Sequence, residues 1–251
     1  MAFLDPPYNV RVRDIGGRGR VKHQEFAMAS GEMSKDAFTG FLTDTLTLAG
    51  SVSTDGAVHF VCIDWRHVGE LVEAGRATYG AMLNLIAWVK SNAGQGSFYR
   101  SQHELIGVFR VGNSPHLNTI ELGRHGRSRS NVWKYAGANT FRAGRMDDLR
   151  AHPTVKPVAL VADAIKDVTQ RNHLVLDTFS GSGTTLLAAE RVGRPARALE
   201  IDPRYVDVAI RRWQAFTGRD AVHIDSGLTF EEMASSREDS FPPRSQRRTR
   251  R

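Results

Sequence analysis

Short apolar runs alternate along the chain with longer stretches whose apolar residues recur every three or four positions, a pattern of strands separated by helices. Residues 57–65, 83–90 and 105–111 are β-rich runs, and a helix between the first two starts near Arg66. Ser34 is placed to cap a helix over residues 34–48, with Phe38, Phe41, Leu42, Thr45 and Leu48 expected to face the core. The clearest unit lies later. The apolar run Leu174-Val175-Leu176 ends in Asp177, a turn follows from Phe179 to Gly183, and Thr184 and Thr185 open a helix through Leu186, Leu187, Ala188 and Ala189. Gly193 stops that helix before a second strand over 196–201. Helices are expected over 157–168, with Pro157 in its first turn, and from Asp202-Pro203 to Gly218, with Tyr205, Val206, Ala209, Ile210 and Trp213 on its apolar face.

Three stretches break the pattern. Residues 11–24 are glycine-rich, basic and aperiodic, and read as a loop that either closes over a cleft or covers open surface. Residues 112–150 form a connection too long for a compact domain to carry unused. From Phe230 the periodicity is lost, and the last eight residues hold five Arg, so 230–251 is expected to be a disordered basic tail. The organisation is therefore an α/β domain in two halves, 1–111 and 151–222, separated by an insertion at 112–150.

Charge sharpens this division. The net charge is +7, but residues 110–150 contain eight Lys/Arg against three acids and residues 237–251 six Arg against two, which leaves the remainder slightly acidic. So local a field suits a polyanion better than general solubility, although a solvated basic loop has the same composition. The single cysteine, Cys62, lies in an apolar run and is expected to be a buried hydrophobe, which excludes a disulfide framework and suggests a cytoplasmic protein. Neither a signal peptide nor a membrane span is visible, and the nine histidines show no zinc-ligand spacing; His103-Glu104 is read as structural.

Two stretches carry candidate chemistry. In the turn after Asp177, Gly181 and Gly183 let the backbone approach a ligand, and Glu200, 17 residues past Gly183, is placed to accept ribose hydroxyl protons. The turn lacks the third glycine of a dinucleotide site and the lysine of a phosphate loop, so NAD and ATP are poor candidates. In Asp5-Pro6-Pro7-Tyr8 two prolines stiffen the backbone and remove two donors, leaving a carboxylate, a carbonyl and an aromatic face. Two acceptors beside a flat ring suit an exocyclic amine on a base.

The order DPPYN at 5–9, HPTVKP at 152–157 and DTFSGSGTT at 177–185 resembles the permuted β class of DNA amino-methyltransferases, the adenine-N6 type in which DPPY rather than SPPY is usual. MASGEMS at 28–34 and RSNVWKYAGANTF at 129–141 resemble methyltransferases often fused to ParB-like domains. The resemblance implies a Rossmann-like, S-adenosylmethionine-dependent sheet with an inserted target-recognition region, acting on double-stranded DNA in restriction-modification or a related role. It implies catalysis by Asp5, Pro6, Pro7 and Tyr8 on a flipped adenine. Cofactor contacts are expected from Asp177, Phe179, Gly181, Gly183, Thr184, Glu200, Asp202, His152, Thr154 and Lys156, with Thr154 and Lys156 at the methionine end unless Lys156 is only a surface residue at a helix start. DNA contacts are expected from Arg124, Arg127, Arg129, Asn131, Lys134, Arg142 and Arg145, while Trp133 and Tyr135 either stack on a base or pack the loop. Cytosine N4 remains an alternative target, as does a DNA-binding relative without catalysis; a homodimer, an upstream domain or a nuclease partner are left open. Family members build a longer strand before the catalytic motif than Met1 to Leu4, so a start inside a longer natural chain, a fragment or a minimal first strand is expected.

Overall fold

A computed structural model describes residues 1–11, 28–94, 98–124, 128–137 and 156–240. Among them, seven strands form one sheet: β1 (Ala2–Leu4), β2 (Val58–Ile63), β3 (Ala81–Val89), β4 (His103–Arg110), β5 (Val132–Lys134), β6 (Val175–Asp177) and β7 (Ala196–Ala198), in the order β5-β3-β4-β2-β1-β6-β7. β4 runs antiparallel to both neighbours, and the other six strands share one direction. Every carboxyl end except that of β4 therefore lies along one edge. At the β1–β6 pair the order reverses, since the chain leaves β1 toward β2 and leaves β6 toward β7. That switch point is where an open α/β sheet leaves a crevice for a ligand.

Helices cover both faces. Ala2, Leu4, Val61, Ile63 and Phe109 pack beneath α1 (Lys35–Ser51) and α2 (Val68–Thr78), while Phe3, Phe60, Cys62 and Ile106 pack beneath α3 (Val158–Val168) and α4 (Thr184–Val192). All three residues of β1 and all six of β2 are buried, as strands sandwiched between helical layers must be. On α2, Gly75 has to be glycine, because a Cβ there would lie 2.2 Å from the Phe109 ring. Two further helices follow, α5 (Pro203–Thr217) and α6 (Phe230–Ser240).

Four expectations change. Ser34 does cap α1, accepting from Ala37 N at 3.2 Å, but the core face is Phe38, Leu42, Leu46 and Ala49. Phe41, Thr45 and Leu48 belong to a second stripe that faces the cleft. Before α2, a 3-10 turn occupies Trp65–His67. Residues 132–134 of the insertion join the main sheet as its edge strand instead of standing apart from it. Residues 230–240, expected to be disordered, are helical because Thr229 and Glu232 form a capping box: Thr229 N and Oγ1 both donate to Glu232 Oε2 at 2.8 Å, and Glu232 N donates to Thr229 Oγ1 at 3.3 Å. The remaining tail, 241–251, and loop residues 12–24 lie outside the described residues.

Candidate active site

The first half of the site is made by one continuous segment. β6 delivers Asp177 to the sheet edge, and α4 begins after Gly183, whose φ of 81° and close approach to Ala209 (a Cβ would lie 2.7 Å from the Ala209 Cβ) exclude a side chain. Glu200 is held by backbone on both oxygens: Gly181 N donates to Oε2 at 2.7 Å and Asp202 N to Oε1 at 2.9 Å. Glu200 also borders the cavity between this turn and residues 5–8. Asp177 is buried and accepts from Phe179 N at 3.0 Å. Burial pushes its carboxyl up to about 7 against the hydrogen bonds from Thr185 and Phe179, and no basic side chain among the described residues pairs with it. Thr178 Oγ1 and Ser180 Oγ are buried without a hydrogen-bond partner. A ligand that is cationic at one end and carries hydroxyls would satisfy these groups, since buried polar atoms otherwise cost about 1–3 kcal/mol each.

A cavity of about 570 Å³ runs from this turn to the tetrapeptide and along the outer stripe of α1. Phe41, Leu48 and Val52 line one wall; Leu199 and Ile201, which are 64% and 71% exposed, line the other, beside Glu200. That volume is within the range of sites that enclose a nucleoside-sized ligand. Thr184 and Phe179 also line the cavity, as does Asp202, whose carboxylate caps α5 by accepting from Arg204 N at 2.9 Å.

The second half is assembled from three distant segments. Asp5, Pro6, Pro7 and Tyr8 leave β1 at the cavity wall. Asn9 sets their exit, in a left-handed conformation (φ 52°): its amide donates to Met33 O at 2.9 Å, and its Oδ1 accepts from Gly31 N and Met33 N at 3.1 and 3.2 Å. The Tyr8 hydroxyl lies 2.7 Å from Asp5 Oδ1 and 3.0 Å from Glu104 Oε2, with one proton to donate between them. Lys156 Nζ donates to Asp5 Oδ1 and Oδ2 at 2.8 and 2.7 Å and to Tyr8 Oη at 2.9 Å, and it pairs with Glu104 Oε2 at 3.0 Å. Lys90 binds the other oxygen of Glu104. A buried and a part-buried carboxylate are thus balanced by two ammonium groups. Burial alone would raise the Glu104 pKa, but Lys156 and Lys90 hold it down at about 2. Burial likewise opposes the Lys156 charge, yet Asp5 and Glu104 keep its pKa above the ordinary value. Tyr8 is driven well up by burial and by the same two carboxylates, so it stays a neutral phenol. Asp5 keeps 21% of its side chain exposed, and among the described residues Oδ2 accepts only from Lys156, which leaves room for one more donor.

Lys156, expected by resemblance at the methionine end unless only a surface residue at a helix start, is buried, lines the cavity and bonds to Asp5 of the tetrapeptide. Glu104, read as merely structural, touches Tyr8; the only signal was an acid at the start of an otherwise apolar strand.

The insertion is less open than its charge implied. Arg129 Nε pairs with Asp167 at 2.8 Å, and its guanidinium lies 4.7 Å from the centroid of Trp133, which is buried. The Tyr135 hydroxyl donates to Asp163 at 2.6 Å. These contacts moor the edge strand to α3, so Trp133 and Tyr135 pack the insertion and Arg129 is engaged within the chain. Asn131 also serves the sheet edge, its amide reaching Asn84 Oδ1 and Leu85 O at 3.3 and 3.2 Å. Arg124 and Lys134 are exposed. Arg127, Arg142, Arg145, His152 and Thr154 lie outside the described residues.

Comparison with known proteins places this geometry in context. A family model described as DNA methylase, of the N6/N4 type, matches residues 1–211. The type II methyltransferase M2.MboI of Moraxella bovis is 22% identical over 228 residues, covering 86% of this chain and 81% of its own length. M2.LlaDCHI of Lactococcus lactis subsp. cremoris is 26% identical over 224 residues, covering 84% and 81%. Among solved structures, the PvuII DNA methyltransferase, described as cytosine-N4-specific, superposes with a TM-score of 0.65 at 15% identity over 93% of this chain and 83% of that one. A complex of M1.HpyAVI with SAM gives 0.59 at 19% identity over 84% and 87%. These last two show a shared fold.

Proposed function

The chain belongs to the N6/N4 family of DNA methylases, and from that premise we propose that it transfers a methyl group from S-adenosylmethionine to the N6 amine of a flipped adenine in double-stranded DNA. The observation that carries this reading is the single cavity joining the Asp177–Glu200 turn to Asp5 and Tyr8. Asp177 takes the ammonium of the methionine part and Glu200 the ribose hydroxyls, while Leu199 and Ile201 flank the adenine ring. When bound, the cofactor supplies an electrophilic methyl on a cationic sulfur.

The protein's share is to present the amine. A flipped base stacks on Tyr8, and its amine donates to the open position on Asp5 Oδ2 and to a proline carbonyl of Pro6-Pro7. Both bonds favour a pyramidal nitrogen with a localised lone pair, and they would stabilise the positive charge that grows on it as the N–C bond forms and the methyl–sulfur bond breaks, the sulfur leaving as a neutral thioether and the surplus N6 proton departing along its hydrogen bond to Asp5 toward solvent. Held by Lys156, Asp5 serves as a fixed acceptor. Glu104 and Lys156 are positioning residues for Asp5 and Tyr8. Arg124 and Lys134 contact phosphate. Cytosine N4 presents a similar amine, and the fold shared with the PvuII enzyme admits it; Asp5 in place of serine favours adenine, by resemblance to adenine-N6 enzymes.

Incubation of the protein with methyl-labelled S-adenosylmethionine and unmethylated genomic DNA, followed by nucleoside analysis, tests the reading. N6-methyladenine is expected. N4-methylcytosine would reverse the substrate assignment, and an absence of incorporation by a chain that binds the cofactor would reject the proposed catalysis.

A further inference from the structure

The connection between β3 and β4 rises from the edge where the catalytic tetrapeptide opens. Val89 is opposite His103 at the end of the ladder, and the pairing continues outward through Lys90 N to Gln102 O and Gly94 N to Ser101 O, both 2.8 Å. Beyond it Phe98 and Tyr99 are 84% and 89% exposed, more than any other aromatic side chain among the described residues, with ring centroids 4.2 Å apart. The base of the hairpin is wired to the catalytic group, because Lys90 pairs with Glu104 and Glu104 accepts from Tyr8. Arg100 at the hairpin and Lys134 at the adjoining edge strand are exposed cations.

Two adjacent aromatic rings that cover none of the chain's own core mark a binding surface. Its surroundings specify the occupant: a basic edge beside a pocket for an extruded base fits duplex DNA. Removing a nucleotide from a duplex leaves a gap in the stack, and aromatic or apolar side chains inserted between base steps fill such gaps. Stacking of a base on an aromatic ring is of the same order as the cost of unstacking one. We propose that Phe98 and Tyr99 form a wedge that enters the DNA stack as the target base leaves it, a role that rests on the base-flipping reading above.

The test compares two duplexes containing the mapped methylation site, one with the target base paired and one with an abasic residue opposite it, where extrusion is already cheap. Wild type and the double variant Phe98→Ser/Tyr99→Ser are assayed on both; both positions are exposed, and circular dichroism checks the fold. The wedge predicts at least a tenfold loss of kcat/KM by the variant on the paired duplex, and a rate within threefold of wild type on the abasic one. Equal losses on both would overturn it, and sedimentation would then separate self-association from general DNA contact; no loss on either would overturn it as well. If the product is N4-methylcytosine, the ratio is read with that base opposite the gap and the wedge is judged independently of the adenine assignment. A wild-type chain that methylates neither duplex refutes the underlying function and the wedge with it.

Discussion

The two ends of the cavity are built by opposite strategies. At the Asp177–Glu200 end, one contiguous stretch of the chain supplies both acids, and backbone N–H groups orient them: Gly181 and Asp202 on Glu200, Phe179 on Asp177. At the Asp5 end, the charges of Asp5, Lys156 and Glu104 alternate around the Tyr8 hydroxyl, with no backbone donor to Asp5 among the described contacts. A backbone-built site tolerates the loss of one side chain, since the chain path survives. A charge-built site does not, because each ion depends on the others for its solvation.

The largest effect should come from the acceptor. Asp5→Ala is expected to lower methyl transfer by about 10²–10³-fold or more, the scale of losing a preorganised transition-state partner. Cofactor affinity by calorimetry should hardly change. A variant with wild-type turnover would dissolve the distinction between the ends.

Next is Lys156→Met, which leaves Asp5 without its partner and Glu104 with Lys90 alone. Breaking a buried pair costs about 3–5 kcal/mol, so a marked fall in melting temperature is expected. Adding Glu104→Gln should recover part of it. Equal melting of wild type and single variant would show that the network carries no such dependence.

The other end should respond to pH. Because the Asp177 carboxyl sits at about 7 without ligand, it gains a proton as pH falls below that value, and only its ionised form attracts an ammonium. The cofactor Kd should therefore rise about tenfold per unit as pH drops from 7 toward 5, one pKa unit being about 1.4 kcal/mol. Titration calorimetry across that range checks it, and Asp177→Asn should weaken binding and flatten the slope. The smallest effect serves as a control: Thr229→Ala removes the α6 cap, costs about 1 kcal/mol and should leave transfer and binding unchanged.

How legible each end was follows from the same difference. The turn and Glu200 lie within one contiguous stretch, so their spacing alone exposed them, and prolines made the DPPY segment conspicuous. Glu104 escaped because its partner Tyr8 is 96 residues away, and the bond of Lys156 to Asp5 was out of sight because 151 residues separate them. No local pattern carries such contacts. Arg129 counted as surface charge until Asp167 and Asp163 on α3 turned out to neutralise it. On α1, two apolar stripes share one helix, and periodicity could not say which faces the core and which the cavity. The edge strand was obscured by its length of three residues, and α6 by a weak apolar pattern, although the Thr229-x-x-Glu232 box was there to be read.

The brevity and position of β1 have a consequence for the order in which the molecule can be made. Its residues pair with β2 on one side but with β6 on the other, Leu176 N donating to Met1 O at 3.0 Å. At about 5–20 residues per second, a ribosome adds residue 176 roughly ten to thirty seconds after the strand that needs it. Until then β1 is an open sheet edge, and neither the cavity nor Lys156's grip on Asp5 can be completed. A chain terminated before residue 176 thus carries Asp5 and Tyr8 without a pocket beside them, and is expected to transfer no methyl group.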